Sequence, residues 1–394
     1  MTESIAGATI LVVDDTAVNR RILRAILERA GAVVSEAPGG EEALRLVRAA
    51  PPDLLLLDVM MPGMDGLQVC AALKSDPTTS DVPIIVVSSL GETADRIRGL
   101  SAGAEDYVTK PFDAGEVLAR VATHLRIRRL TRSLRELNRE LTDRQQRIDD
   151  DLRAAAEIQR TLLPRTGAAA PRLAFEWLFE PCATIGGDIF DVVSLGAGRT
   201  AIYVLDVSGH GVPAALVTVS VSQSLAPMSG IILDARGEPS PPSEVLARLD
   251  AEYPFERFDM FFTMAYLTFD AATGVLRYAS AGHPPPLLLR PGKRPQPLEE
   301  GGTIVGLGVG TTFDEGSVVL APGDRLALCT DGVLETASPA GELFGGERLD
   351  DVLVKGAGLA LSGLRDLIGR EVSVYGAGLP ARDDVSLLLV EVLV

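Results

Sequence analysis

The sequence predicts a multidomain chain: a doubly wound α/β domain on a five-stranded parallel sheet, a long helical coiled-coil linker, and an α+β sandwich domain. Three observations predict it. At 394 residues the chain exceeds one ordinary core. Its hydrophobic pattern changes twice, from short apolar runs between helical periods, to a leucine-spaced helix, to period-two strands. Glycine and proline vanish between residues 126 and 163, which sets the middle segment apart as one helix. The segments are placed at 1–125, 126–165 and 166–394.

In the first segment the apolar runs are ATILVVDD, VVSEA, DLLLLD, PIIVVSS and DYVTK. Continuously apolar strands are buried on both faces, which is the habit of parallel sheets. Between the runs, Val18, Ile22, Leu23, Ile26 and Leu27 share one helical face, as do Ala43, Leu44 and Val47. In the linker Leu130, Leu134, Leu137 and Leu141 step by 4, 3 and 4, the seam of a coiled coil. Ile148, Leu152, Ala155 and Leu162 continue it, with the 11 residues from Leu141 to Leu152 read as a four-residue stutter. The seam suits a homodimer; a long solvated helix is the alternative. Pro164 ends this helix, and GAAAP marks a boundary. From about residue 172 the strands are LAFEWLFE, TAIYVLDV, FTMAYLTFD, GVLRYASA, PLLLR, GSVVLA, DRLALCTD and DVSLLLVEV, with helices near 213–226 and 361–372.

A net charge of −17 argues against a nucleic-acid partner, which needs a basic footprint. Residues 126–165 are the exception, with 11 Arg against 7 acids. Lysine is scarce, confined to positions 74, 110, 293 and 355, so a lysine beside a functional aspartate carries extra weight. No apolar run reaches the roughly 18 residues of a membrane span. MTESIAGATILVVDD lacks a basic segment ahead of its apolar stretch and reads as a first strand. Cys70, Cys182 and Cys329 have no ligand spacing and fit reduced, buried thiols of a cytoplasmic protein.

Ligands of a parallel α/β sheet sit beyond the carboxyl ends of its strands. Those ends read Asp14 and Asp15, Asp58, Ser88 and Lys110. Crowded carboxylates repel unless a cation sits among them, and oxygen ligands suit Mg2+. A carboxylate can also act as a nucleophile and form an aspartyl phosphate, with Lys110 and Ser88 holding the phosphoryl oxygens. This constellation resembles the receiver domain of two-component response regulators, over residues 8–125. The resemblance implies that Asp58 accepts the phosphoryl group and that Asp14, Asp15, Asp58 and the Met60 carbonyl bind Mg2+. It places Ser88, where the family more often has Thr, and Lys110 on the phosphoryl group. Tyr107 matches the aromatic whose orientation couples to phosphorylation. Taken singly, Asp14 could cap a helix and Tyr107 could be core.

In the third segment Asp206 ends a strand before Val-Ser-Gly-His-Gly, Asp188 follows a glycine pair, Asp331 ends RLALCTDG, and Asp383 and Asp384 open the last strand. No lysine or cysteine accompanies them. Four aspartates without a balancing cation call for metal, and oxygen-only ligation favours Mg2+ or Mn2+. Two such ions roughly 4 Å apart can arm water for in-line displacement at phosphorus. The motifs EIQRTLLP, GGDIFD, DVSGHG, AGHPPPLLL, CTDGVLE and DDVSLLLV are similar to those of PPM-type metal-dependent serine/threonine phosphatases of the SpoIIE-like branch. The resemblance implies an α/β/β/α sandwich holding two Mg2+ or Mn2+. By position, Asp206 bridges the ions with the Val207 carbonyl beside it, Asp331 and Asp383 complete one, and Asp188 binds directly or through water. Asp384 reads better as an acid bonding strand-start amides, Asp191 as a structural group, His210 as a turn residue and His283 as a loop residue.

Receiver, coil and phosphatase in that order imply a response regulator. A sensor histidine kinase would load Asp58, and the output would dephosphorylate a regulatory protein such as an anti-sigma-factor antagonist. The competing reading is a non-catalytic adaptor that binds a signalling partner through a phosphatase-like domain. A DNA-binding regulator is disfavoured by the charge and by the lack of a helix-turn-helix pattern.

Overall fold

Side chains of Thr9–Val13 (β1) bury in two different places, Ile10 and Val12 on one side of a sheet and Leu11 and Val13 on the other. The computed structural model describes residues 5–89, 100–165, 170–308, 310–379 and 381–394. In it β1 joins Val33–Ala37 (β2), Leu54–Asp58 (β3), Ile84–Ser89 (β4) and Asp106–Lys110 (β5) in a parallel sheet of order β2-β1-β3-β4-β5. Ala17–Arg29 (α1) and the start of Ala114–Arg160 (α4) cover one face through Leu23, Leu27, Val117 and Val121. Gly40–Ala49 (α2) and Gly66–Ser75 (α3) cover the other through Val47, Val69 and Leu73. The predicted doubly wound sheet is therefore present. The apolar stripe of α1 is wider than its buried one, and Val18 and Ile22 face outward.

The chain divides into two compact units, Met1–Gln145 and Gln146–Val394, and α4 contributes to both. At 47 residues α4 starts earlier than the linker pattern suggested, because nothing in the sequence interrupts the helix that first covers the sheet. Leu130, Leu134, Leu137, Leu141 and Ile148 are exposed along it. Leu134, Leu141, Ile148 and Ala155 keep an unbroken seven-residue repeat, so the helix needs no stutter near 141–152. The expected boundary after Arg165 abuts residues 166–169, which lie outside the described residues.

In the second unit two sheets pack face to face. The first runs through Asp188–Gly196 (β7), Arg199–Val207 (β8), Phe262–Asp270 (β9) and Val275–Ala281 (β10), with Gly301–Gly302 (β13) and Gly316–Val319 (β14) beside β10. The second has Leu173–Glu180 (β6), Val385–Val392 (β16), Arg325–Cys329 (β15), Leu287–Leu289 (β11) and Gln296–Pro297 (β12). One core joins them, through Phe190 and Tyr278 on one sheet and Phe175, Leu328 and Leu388 on the other. Val212–Ser224 (α5) and Pro242–Glu252 (α6) pack on the first sheet. Gly345–Lys355 (α9) and Leu361–Gly376 (α10) cover the second through Leu353, Leu364 and Ile368. The short helices Phe255–Phe258 (α7) and Asp331–Leu334 (α8) complete the unit. Helices outside and sheets inside make the α/β/β/α sandwich.

Two readings need correction. β16 is not amphipathic: Leu388 and Val390 face the central core while Leu387 and Leu389 pack under α10, so both sides are apolar. Of the three cysteines, Cys70 and Cys329 are buried, but Cys182 is half-buried in the turn between β6 and β7. No helix among the described residues is long and apolar enough to cross a membrane.

Candidate functional site

The parallel sheet gathers its strand-end acids at one edge. Asp14 follows β1, Asp58 ends β3, and Lys110 ends β5. The Lys110 ammonium donates to Asp14 Oδ2 and Asp58 Oδ2, each at 2.9 Å. Carboxylate oxygens of Asp14, Asp15 and Asp58 lie within 4.8 Å of one another. Burial raises the Asp58 carboxyl above its ordinary range; the Lys110 contacts pull it back and the Asp14 charge pushes it up again. Burial works against the Lys110 ammonium too, but its bonds to the two acids prevail and its pKa is raised. Three carboxylates against one ammonium leave two negative charges, which a divalent cation balances.

The other predicted residues lie around this edge. Ser88 sits on β4 beside Thr109, and its buried hydroxyl has no hydrogen-bond partner. The Met60 amide donates to Asp58, and the Met60 side chain is exposed. Tyr107 on β5 lies under the Arg120 guanidinium, 5.0 Å from its ring centre. Gly66 lets α3 start hard against β3, because a Cβ there would sit 2.1 Å from the Asp58 carbonyl oxygen. Sequence reasoning missed Asn19, which donates to both Asp14 oxygens, and Arg20, which donates to the Asp14 and Asp15 carbonyls at 2.6 and 3.1 Å. Both lie on α1 one turn past the acids, a spacing that could have revealed them.

The second set of acids converges where the two antiparallel sheets meet. β7 pairs β8 so that Asp188 stands opposite Asp206, and β9 places Thr263 opposite Asp206 on its other side. From the second sheet, Asp331 follows β15 and Asp383 precedes β16. A Cβ on Gly332 would meet the Asp384 carbonyl oxygen at 2.1 Å, so glycine is what lets these two strand ends close on each other. Asp188 is buried, and its Oδ2 accepts from the Thr330 hydroxyl at 2.8 Å and the Ser386 hydroxyl at 2.6 Å. These hydroxyls tie the acid of one sheet to the other sheet.

Electrostatics shows the crowding. Burial first and the Asp206 charge second push the Asp188 carboxyl well above its ordinary range. Burial, then the charges of Asp331 and Asp383, raise Asp206 to about 7. Asp331 is raised by burial and by Asp383, and its buried Oδ1 has no hydrogen-bond partner. Among the described residues no lysine or arginine bonds these acids, and an orphaned carboxylate oxygen among mutually repelling acids fits divalent cations. A Cβ on Gly187 would come within 3.0 Å of the Val207 carbonyl oxygen, so that carbonyl lies beside the segment carrying Asp188.

Neighbouring groups have other duties. Asp384 spends its oxygens on the amides of Cys182 at 2.7 Å, Gly187 at 2.5 Å and Asp188 at 3.3 Å. Asp191 accepts from the Val192 amide at 2.7 Å. His210 is exposed in the turn before α5. His283 is buried, with Nδ1 2.8 Å from the Thr263 hydroxyl, and burial lowers its pKa to about 3. Thr330 and Ser386 were missed, although CTDG and DDVSLL contain them; those motifs were read for their acids alone.

The family model of Stage II sporulation protein E (SpoIIE) matches residues 196–393, half of the chain, and that of the response regulator receiver domain matches residues 10–122. Among solved structures, the SiaA-PP2C domain of Pseudomonas aeruginosa is similar, at 26% identity and a TM-score of 0.55, covering 63% of this chain and 98% of that one. The response regulator PleD of Caulobacter vibrioides is 45% identical over 130 residues, 33% of this chain and 29% of PleD. The transcriptional regulatory protein ResD of Bacillus subtilis is 47% identical over 117 residues, 30% of this chain and 48% of ResD. The chain thus spans less than half the length of these two regulators.

Proposed function

The chain belongs to the SpoIIE family and carries a response-regulator receiver ahead of its phosphatase domain; from this premise we propose that its output is the dephosphorylation of phosphoserine or phosphothreonine on a regulatory protein. The substrate class we favour is an anti-sigma-factor antagonist. The observation that carries the reading is the set of acids Asp188, Asp206, Asp331 and Asp383, in which burial and the neighbouring acids raise Asp188, Asp206 and Asp331 and no lysine or arginine bonds any of the four among the described residues.

In this reading residues 1–125 sense, 126–165 connect and 166–394 catalyse. The four acids and the Val207 carbonyl would hold two Mg2+ or Mn2+. When bound, the ions would supply an activated water and cancel the charge of the phosphoester. The chain's own part is to orient the donors. Thr330 and Ser386 fix Asp188, the ladder holds Asp206 opposite it, and Gly332 lets the strand ends that carry Asp331 and Asp383 close on each other. Among the described residues no lysine stands by Asp206 as Lys110 stands by Asp58, so Asp206 serves as a ligand and does not itself take up phosphate.

In the receiver, Asp14, Asp15, Asp58 and the Met60 carbonyl would hold Mg2+. Asp58 would take the phosphoryl group from a sensor histidine kinase, with Lys110 and Ser88 on its oxygens. The exposed leucines of α4 would pair two chains as a cytoplasmic homodimer. The test incubates phosphorylated antagonist proteins from the same genome with the full chain and Mn2+, with and without acetyl phosphate. Release of phosphate by wild type but not by Asp206→Ala, at a rate acetyl phosphate changes only when Asp58 is present, is expected. Equal rates for wild type and Asp206→Ala would sink the proposal.

A further inference from the structure

Near the end of α4, where Ile158 is 67% exposed, Gln159 is only 4% exposed. Burying a glutamine costs up to about 2 kcal/mol of side-chain entropy and requires partners for both ends of its amide. Both ends bond to one residue: Gln159 Nε2 donates to the Gly186 carbonyl at 2.7 Å, and the Gly186 amide donates to Gln159 Oε1 at 3.2 Å. The side chain acts as a short length of strand, holding both backbone polar groups of a single residue.

What it clamps matters. Gly186 lies two residues before Asp188, and the intervening Gly187 is held as well. Its amide donates to Asp384 Oδ2 at 2.5 Å and its carbonyl accepts from the Thr218 hydroxyl at 2.5 Å. A Cβ on Gly186 would lie 2.5 Å from Asp384 Oδ2, so the chain passes this point as bare backbone. With Gly187 pinned and consecutive Cα atoms about 3.8 Å apart, a displacement at Gly186 cannot be absorbed by slack. It passes into Asp188 and the hydroxyls that orient it.

We propose that Gln159 is a positioning residue whose two-point clamp on Gly186 couples the last turn of α4 to the divalent-cation affinity of the acid quartet. The inference rests on the metal-binding reading above. When the last turn is docked, Asp188 is placed to ligate; when it moves, the clamp opens and cation affinity falls before catalytic competence does. This lets a signal arriving along a helix act on an enzyme without touching its substrate.

The test measures Mn2+ binding to the full chain by calorimetry, in an Asp15→Asn background that weakens the receiver's own site. Gln159→Glu keeps the shape but turns an oxygen toward the Gly186 carbonyl, and Gln159→Met keeps the length without either bond. Trp177→Phe is the control, because it removes another anchor of the segment after α4, the 3.0 Å bond from Trp177 Nε1 to the Pro164 carbonyl. Both Gln159 variants are expected to weaken Mn2+ binding about tenfold or more, with kcat at saturating Mn2+ within about threefold of wild type. Trp177→Phe should lower the melting temperature without shifting Mn2+ affinity. Folded Gln159 variants that bind Mn2+ as tightly as the parent would overturn the clamp while leaving the metal site standing. A parent that binds no Mn2+ would instead remove the metal site on which the clamp depends.

Discussion

Asp58 and Asp206 each stand at the end of an apolar strand, but their surroundings settle the charge in opposite ways. At the receiver edge an ammonium lies 2.9 Å from both Asp14 and Asp58. In the sandwich, Asp206 faces Asp188, Asp331 and Asp383 with no cationic side chain beside it among the described residues, and its pKa rises to about 7. A site with its own ammonium offsets part of what burial does to its carboxylate. In the sandwich the acids raise one another, and, against the sequence reading, a cysteine does accompany them: Cys182 Sγ lies within 4.8 Å of Asp383 and Asp384 carboxylate oxygens. The residue type is the same, and the neighbours decide the chemistry.

The largest effect that would break this contrast is on catalysis. Asp206→Asn is expected to lower p-nitrophenyl phosphate hydrolysis with Mn2+ by about a thousandfold, since losing the proposed metal ligand would remove several kcal/mol of charge stabilisation. A loss under tenfold would place the metal elsewhere. Next comes the response to ions. Stripping divalent cations and restoring Mn2+ at about a hundred times its Kd should add about 2.7 kcal/mol per bound ion to the second unit. That is roughly 5 to 10 °C per ion in calorimetry. The receiver transition should move less, because Lys110 already offsets part of its charge.

A smaller effect sharpens the receiver side. Lys110→Met leaves Asp14 and Asp58 facing each other without the ammonium, and urea unfolding should show a loss of about 2 kcal/mol that Mg2+ partly restores. Metal that fails to restore it would mean the acids do not share an ion. The smallest concerns His283, next to the strand that carries Thr263. Its folded pKa is depressed to about 3 from the ordinary 6.5. The unfolded chain therefore takes up the proton first as pH falls, and stability is complete above 6.5 and declines from there toward 3. Between pH 6.5 and 5.5 wild type should lose about 1 kcal/mol more than His283→Gln in urea unfolding. Equal slopes would show that the imidazole is not buried neutral.

The architecture was legible because burial on both faces, heptad spacing and strand periodicity each leave a pattern in one dimension. LLLLD and IYVLDV showed where an acid leaves a sheet. Pairing across sheets leaves no such pattern. Thr330 and Ser386 reach Asp188 from 142 and 198 positions away, and Gln159 meets Gly186 through backbone atoms that every residue carries. β16 misled by another route: helices cover its outer side, so from Leu387 to Val390 an antiparallel strand is apolar on both sides.

The most direct test of the acid quartet is a count of bound Mn2+ at equilibrium, read from the resonance of the free ion, for wild type and Asp206→Asn side by side. The account predicts that wild type binds two more ions than the variant, as expected of a bridged pair. Equal counts in two folded proteins would contradict it.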